Sequence, residues 1–168
     1  MTNPQIFALW AGLGLVVTIA LVVAARRVEK ARGWLVIVGL VMLAGEEPML
    51  TWFWALIGPG GDKDGMSGLI TTAAQTHVMD TAILGFGLYV FMGWIAMTAF
   101  LRGERWAAKV LAAGWFLTAA TLLATSLTLY PRGLFGPGYG WDSLAVGLLA
   151  WGCALWLTPA RQFVRSGR

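Results

Sequence analysis

The chain has 168 residues, 58% of them hydrophobic and 12% charged, with a formal net charge of +4. So little polar surface cannot clothe a water-soluble globule, so one compact domain partly covered by lipid is expected. The single Cys153 and single His77 exclude an intrachain disulfide and leave no Cys- or His-rich metal set, and no cofactor is expected.

Five apolar stretches follow one another, at roughly 6–25, 34–57, 69–101, 106–129 and 141–159. They predict an all-α integral membrane bundle of five transmembrane helices. The first stretch is followed, not preceded, by basic residues (Arg26, Arg27), the reverse of a cleavable signal peptide, and is read as a helix. Pro48 in the second stretch removes a backbone donor and predicts a kink. The third is too long for one straight crossing; its polar start, Leu69 to Thr76, leaves a membrane core at 77–101. Gly39, Gly45, Gly85, Gly87 and Gly93 predict close helix packing. The fourth carries Thr118, Thr121, Thr125, Ser126 and Thr128, read as hydrogen-bonding between helices. No internal repeat is present.

Ten of the 12 basic residues follow the first, third and fifth stretches: Arg26, Arg27, Lys30 and Arg32, then Arg102, Arg105 and Lys109, then Arg161, Arg165 and Arg168. An odd helix count puts all three groups on one side. The positive-inside rule then sets the N-terminus outside and the C-terminus in the cytoplasm, in a bacterial inner membrane or, in a eukaryote, the endoplasmic reticulum. The basic character answers to topology and membrane lipids, and no nucleic acid is expected. Trp10, Trp34, Trp106 and Trp141, near predicted helix ends, suit interfacial belts.

Glu46, Glu47 and Asp80 fall inside predicted spans, where each ionisable group costs about 2.5–3.5 kcal/mol. Such groups belong inside a bundle, hydrogen-bonded or lining a cavity. At about 1.5 Å per residue, Glu46 lies about 18 Å from the cytoplasmic side, Asp80 about 16 Å and Trp156 about 22 Å from the outer side. All three come within about two helical turns of one level, so a shared mid-membrane site is expected. His77 and Asp80, three residues apart, share a helix face and form a candidate proton-sharing pair.

These residues resemble the emopamil-binding protein family, membrane sterol delta-8 to delta-7 isomerases, and the wider EXPERA superfamily. The family's second helix carries a glycine, a histidine and, four positions on, an acid; Gly39, Met42, Leu43 and Glu46 stand in that frame. Its third helix has a Met-Glu-Thr step and ends Ala-Phe-Leu-Arg, similar to Met79, Asp80 and Thr81 and to Ala99, Phe100, Leu101 and Arg102. Its last helix has Asn-Ala-Leu-Trp-Leu, similar to Cys153, Ala154, Leu155, Trp156 and Leu157.

The resemblance implies a cavity for a polycyclic or isoprenoid lipid, where a carboxylic acid protonates a carbon–carbon double bond and a second group removes a proton nearby. It implies Glu46 and Asp80 as the acid–base pair and Trp156 as the aromatic face that holds the intermediate cation. Met42, Glu47, Thr81 and Cys153 would contact the substrate. Burial raises an acid's pKa and keeps it protonated, as donation to an alkene requires. Two positions differ: the family histidine is Met42 here and the family asparagine is Cys153, with His77 the one imidazole placed to substitute.

The expected function is a double-bond isomerase of a sterol-like or terpenoid lipid acting through a carbocation. A membrane terpene or carotenoid cyclase and a non-catalytic lipid-binding protein of the same superfamily are the alternatives. A proton-coupled transporter is disfavoured by five spans without inverted repeats. A homodimer is compatible with the sequence.

Overall fold

The computed structural model describes residues 3–44, 85–129, 141–159 and 162–163. They form five helices: α1 (Asn3–Ala25), α2 (Lys30–Ala44), α3 (Gly85–Phe100, its last five residues π-helical), α4 (Arg105–Leu129) and α5 (Trp141–Trp156). No strand occurs among the described residues. The helical class expected from the sequence is therefore observed.

α1 has no charged residue and no polar face; Leu9, Leu13, Val16, Ile19 and Val23 are all exposed. Its buried stripe is Ala11, Gly14 and Thr18, small residues at helical spacing that let a neighbour approach closely. The Thr18 hydroxyl donates to the Gly14 carbonyl at 2.7 Å, so the buried hydroxyl is satisfied within its own helix.

Only four residues separate α1 from α2, and the Arg27 and Val28 amides both close on the Ala24 carbonyl, at 2.9 and 2.8 Å. α2 therefore starts at Lys30, four residues earlier than its apolar stretch suggests. A first turn of Lys30, Ala31, Arg32 and Gly33 is helical without being apolar, and hydropathy does not register it. Arg32 is buried and pairs with Glu29 at 3.0 Å.

α2 is the central element and packs on α1, α3 and α5. Leu35, Val36, Leu40 and Leu43 meet Ile95, Ala96, Ala99 and Phe100 of α3, Ala107, Ala108 and Leu111 of α4, and Trp151 and Ala154 of α5 in one core. α4 and α5 are tied by the Trp115 indole, which donates to the Leu148 carbonyl at 2.8 Å. Gly152 makes that reach feasible, since a Cβ there would stand 3.3 Å from the indole nitrogen. Thr118 donates to the Gly114 carbonyl of its own helix at 2.9 Å, and not to another helix as the threonine series suggested. Inside an apolar bundle the nearest carbonyl one turn back is the least costly partner.

The turns at 26–29 and 101–104 lie at one end of the bundle. A Cβ on Gly33 would stand 3.0 Å from Leu101 Cδ1, and one on Gly103 3.4 Å from Gln162 Nε2, so the start of α2 adjoins the end of α3 and Gln162 lies beside Gly103. Gly103 ends α3 at φ +77°, a conformation that strains any residue with a Cβ. Exposed Trp34, Trp106 and Trp156 ring this end, and the Trp106 indole donates to Glu104.

Among the described residues, two helices are long and apolar enough to cross a membrane: Ala8–Ala25 with mean hydropathy 2.4 and Arg105–Ala124 with 1.6. Gly85–Phe100 and Asp142–Trp156 are apolar but shorter. Large apolar side chains, among them Phe86, Phe91, Phe116, Leu117, Leu123 and Leu149, are exposed on α3, α4 and α5 as on α1. Apolar exposure spread over the described surface suggests membrane association.

Candidate functional site: an apolar groove between α2 and α3

α2 and α3 run antiparallel. Gly33 meets Met97 and Leu101, and a Cβ on Gly93 would stand 3.1 Å from Ile37 Cδ1. The two helices touch closely at Gly93, and beside that contact a groove of about 350 Å³ opens. That volume lies at the lower end of the roughly 300–1,000 Å³ typical of small-molecule sites.

The α2 wall is Ile37, Leu40, Val41 and Ala44. The α3 wall is Phe86, Tyr89, Val90 and Trp94, with Gly93 and Met97 toward the basic end. Residues at spacings of three and four form each wall because that spacing keeps one helix face turned to the gap. Trp94 stacks on Phe91, ring centroids 6.1 Å apart and planes 25° apart, which fixes the indole at the groove's edge.

Immediately beyond Trp94 the helix widens into its π turn at Ala96–Phe100. The Thr98 hydroxyl donates to the Trp94 carbonyl at 2.6 Å, so the widened turn keeps that carbonyl satisfied. Single π turns inside α-helices are frequent at functional sites. Here the turn carries Met97 at the groove's end. Among the described lining residues only Tyr89 and Trp94 carry a side-chain N or O, and their surface suits an apolar ligand. Among the described residues no three His, Cys, Asp or Glu side chains come together.

Five residues expected at the site, Glu46, Glu47, His77, Asp80 and Thr81, lie outside the described residues. Three are described, and none lines the groove. Met42 is 3% exposed, and its sulfur would lie 2.6 Å from a Cβ on Gly14, so it fills the α1–α2 contact. Cys153 is half-buried against the core. Trp156 is 81% exposed at the end of α5, about 200° around the helix from buried Ala154. Trp156 is exposed, as Trp34 and Trp106 are, and does not line the groove.

The groove aromatics went unread in the sequence, although Phe86, Tyr89, Gly93 and Met97 repeat every three or four residues. The helical period applied to the second half of the 69–101 stretch would have shown that face. Comparison with protein-family models, with curated proteins and with solved structures gave no match.

Proposed function

We propose that the protein is a five-span membrane enzyme that takes a sterol-like or terpenoid lipid into the α2–α3 groove and shifts a carbon–carbon double bond in it. The observation that carries the proposal is the groove's apolar wall together with its position in the chain. Ala44, at the end of one wall, is followed two residues later by Glu46, and Phe86, at the start of the other, comes six residues after Asp80. Both carboxylic acids thus belong to the two chain segments that continue from one end of the groove.

In the proposed reaction a protonated Glu46 adds its proton to one carbon of the double bond, leaving a carbocation on the other. Loss of a proton from an adjacent carbon to Asp80 restores an alkene one position along, with no net gain or loss of atoms by the lipid. His77 shares the returned proton with Asp80 and passes it on. The cation is held by an indole face, for which Trp94, 61% exposed, is the tryptophan among the described groove residues.

The contact between the start of α2 and the end of α3, with Gln162 beside Gly103, supports an odd number of crossings, an outer N-terminus and a cytoplasmic C-terminus. A non-catalytic lipid-binding role is the second reading. It is favoured by Met42, which takes the place of the family histidine and packs away from the groove.

The test is extraction of lipids from the purified full chain, followed by mass spectrometry. An isoprenoid or polycyclic lipid should accompany the wild type and be lost from Val90→Trp, whose larger side chain would occupy the groove. Absence of such a lipid, or its equal retention by the variant, would overturn the proposal.

A further inference from the structure

The groove has two unlike ends. Away from Glu46 and Asp80 in the chain, it runs toward the basic end of the bundle. Lys30 lies seven residues before Ile37, two helical turns and about 10 Å along α2, on the same face as the groove wall. Trp34, exposed, lies between them on that face. Across the groove Met97 ends the α3 wall and Arg102 follows Leu101 at the helix terminus, where both Met97 and Leu101 abut Gly33. Lys30 and Arg102 are both exposed.

Among the described residues the carboxylates at this end are Glu29, which pairs with Arg32, and Glu104, which accepts from the Trp106 indole and keeps its charge. Lys30, Arg102, Arg26, Arg27 and Lys109 outnumber them, so this end is cationic. An aromatic and hydrocarbon trough with lysine and arginine beyond one end has the polarity of an amphiphile with an anionic head.

We infer that the lipid of the α2–α3 groove is an isoprenoid carrying a phosphate head, with the phosphate between Lys30 and Arg102 and the chain lying along the groove toward Ala44 and Phe86. Phosphate suits this end because arginine offers it paired N–H donors and lysine a compact charge. A linear chain suits the groove because the α3 wall extends eleven residues, from Phe86 to Met97, or about 16 Å. Exposed Trp34 and Trp106 belong at a lipid–water boundary, which favours a membrane amphiphile over free phosphate. The inference rests on the groove being the lipid site proposed above, and it exchanges a neutral sterol for an anionic, linear ligand.

Binding of geranylgeranyl monophosphate, geranylgeraniol and inorganic phosphate to the full chain in neutral detergent tests it by calorimetry. The monophosphate should bind at least about 10-fold more tightly than the alcohol, from two cations at about 1 kcal/mol each. Inorganic phosphate alone should not bind measurably. In Lys30→Gln/Arg102→Gln that preference should vanish while affinity for the alcohol is kept, which also shows that the variant is folded. Val90→Trp, at the groove wall, should weaken both lipids. Equal affinity for alcohol and monophosphate, or an unchanged preference in the double variant, would overturn the phosphate assignment and leave the groove standing. Failure of both lipids to bind the wild type would remove the groove as a lipid site and the phosphate assignment with it.

Discussion

Gly39 of α2 and Gly147 of α5 meet backbone to backbone. A Cβ on Gly39 would stand 2.7 Å from the Gly147 carbonyl oxygen, and one on Gly147 would stand 2.9 Å from that of Gly39. Neither obstacle is a flexible side chain, so a methyl group at either position must separate the helices. Gly39→Ala and Gly147→Ala should each destabilise the fold by about 1–3 kcal/mol, read as a lower thermal unfolding midpoint in detergent. Gly12→Ala is the control: nothing lies within 4 Å of that Cβ, and replacing a helical glycine there should be neutral or stabilising by up to about 1 kcal/mol. Equal behaviour of the three variants would contradict the crossing.

The proposed topology follows from the distribution of basic residues along the sequence. A reporter fused after Arg168 should read cytoplasmic and one inserted near Gly60 external. Readings on the same side would contradict five crossings. The same result would separate Trp34 and Trp106, exposed beside basic residues, from a belt on the inner face.

Much of this arrangement is legible in the chain because its causes are local. Charge-free stretches such as Asn3–Ala25 declare helices directly, and Gly39 and Gly93 sit at close helix contacts as expected, whereas nothing lies within 4 Å of a Cβ on Gly87. What is not legible depends on rotation about the helix axis when a helix is apolar all round. Met42 and Trp156 both read as cavity residues, yet one fills the α1–α2 contact and the other faces outward. Hydropathy cannot separate a lipid-facing side from a core-facing side when both are hydrocarbon. The π turn at Ala96–Phe100 adds a phase shift that a constant 3.6-residue period misses.

The acid pair is tested by Glu46→Gln and Asp80→Asn. Each should keep the protein folded in detergent and lower turnover by about 100-fold or more, the scale of general acid–base contributions. Glu47→Gln should cost less, since Glu47 is about 100° around a helix from Glu46. His77→Ala should move the pH dependence of turnover as well as its rate. Full activity of either carboxamide variant would remove that residue from the proposed mechanism.

Trp94 and Trp156 are distinguished by a cationic ligand. An indole face holds a cation by about 0.5–1 kcal/mol at an exposed site such as that of Trp94, and each 1.4 kcal/mol is tenfold in affinity. Trp94→Leu should therefore weaken a lipophilic ammonium compound by about 2- to 5-fold and hardly affect a neutral isostere. Trp156→Leu, on the outer surface, should change neither. Loss of ammonium binding in Trp156→Leu alone would return the cation role to the last helix.

The central claim, proton addition and loss on a groove-bound lipid, is tested most directly by incubating the purified protein and its co-purified lipid in deuterium oxide and analysing the lipid by mass spectrometry. An acid that donates to the alkene exchanges with solvent, so each forward shift should place one deuterium in an isomer of unchanged carbon skeleton. Uptake should fall by about 100-fold in Glu46→Gln. A lipid recovered from the wild type without isomer and without deuterium would contradict the claim.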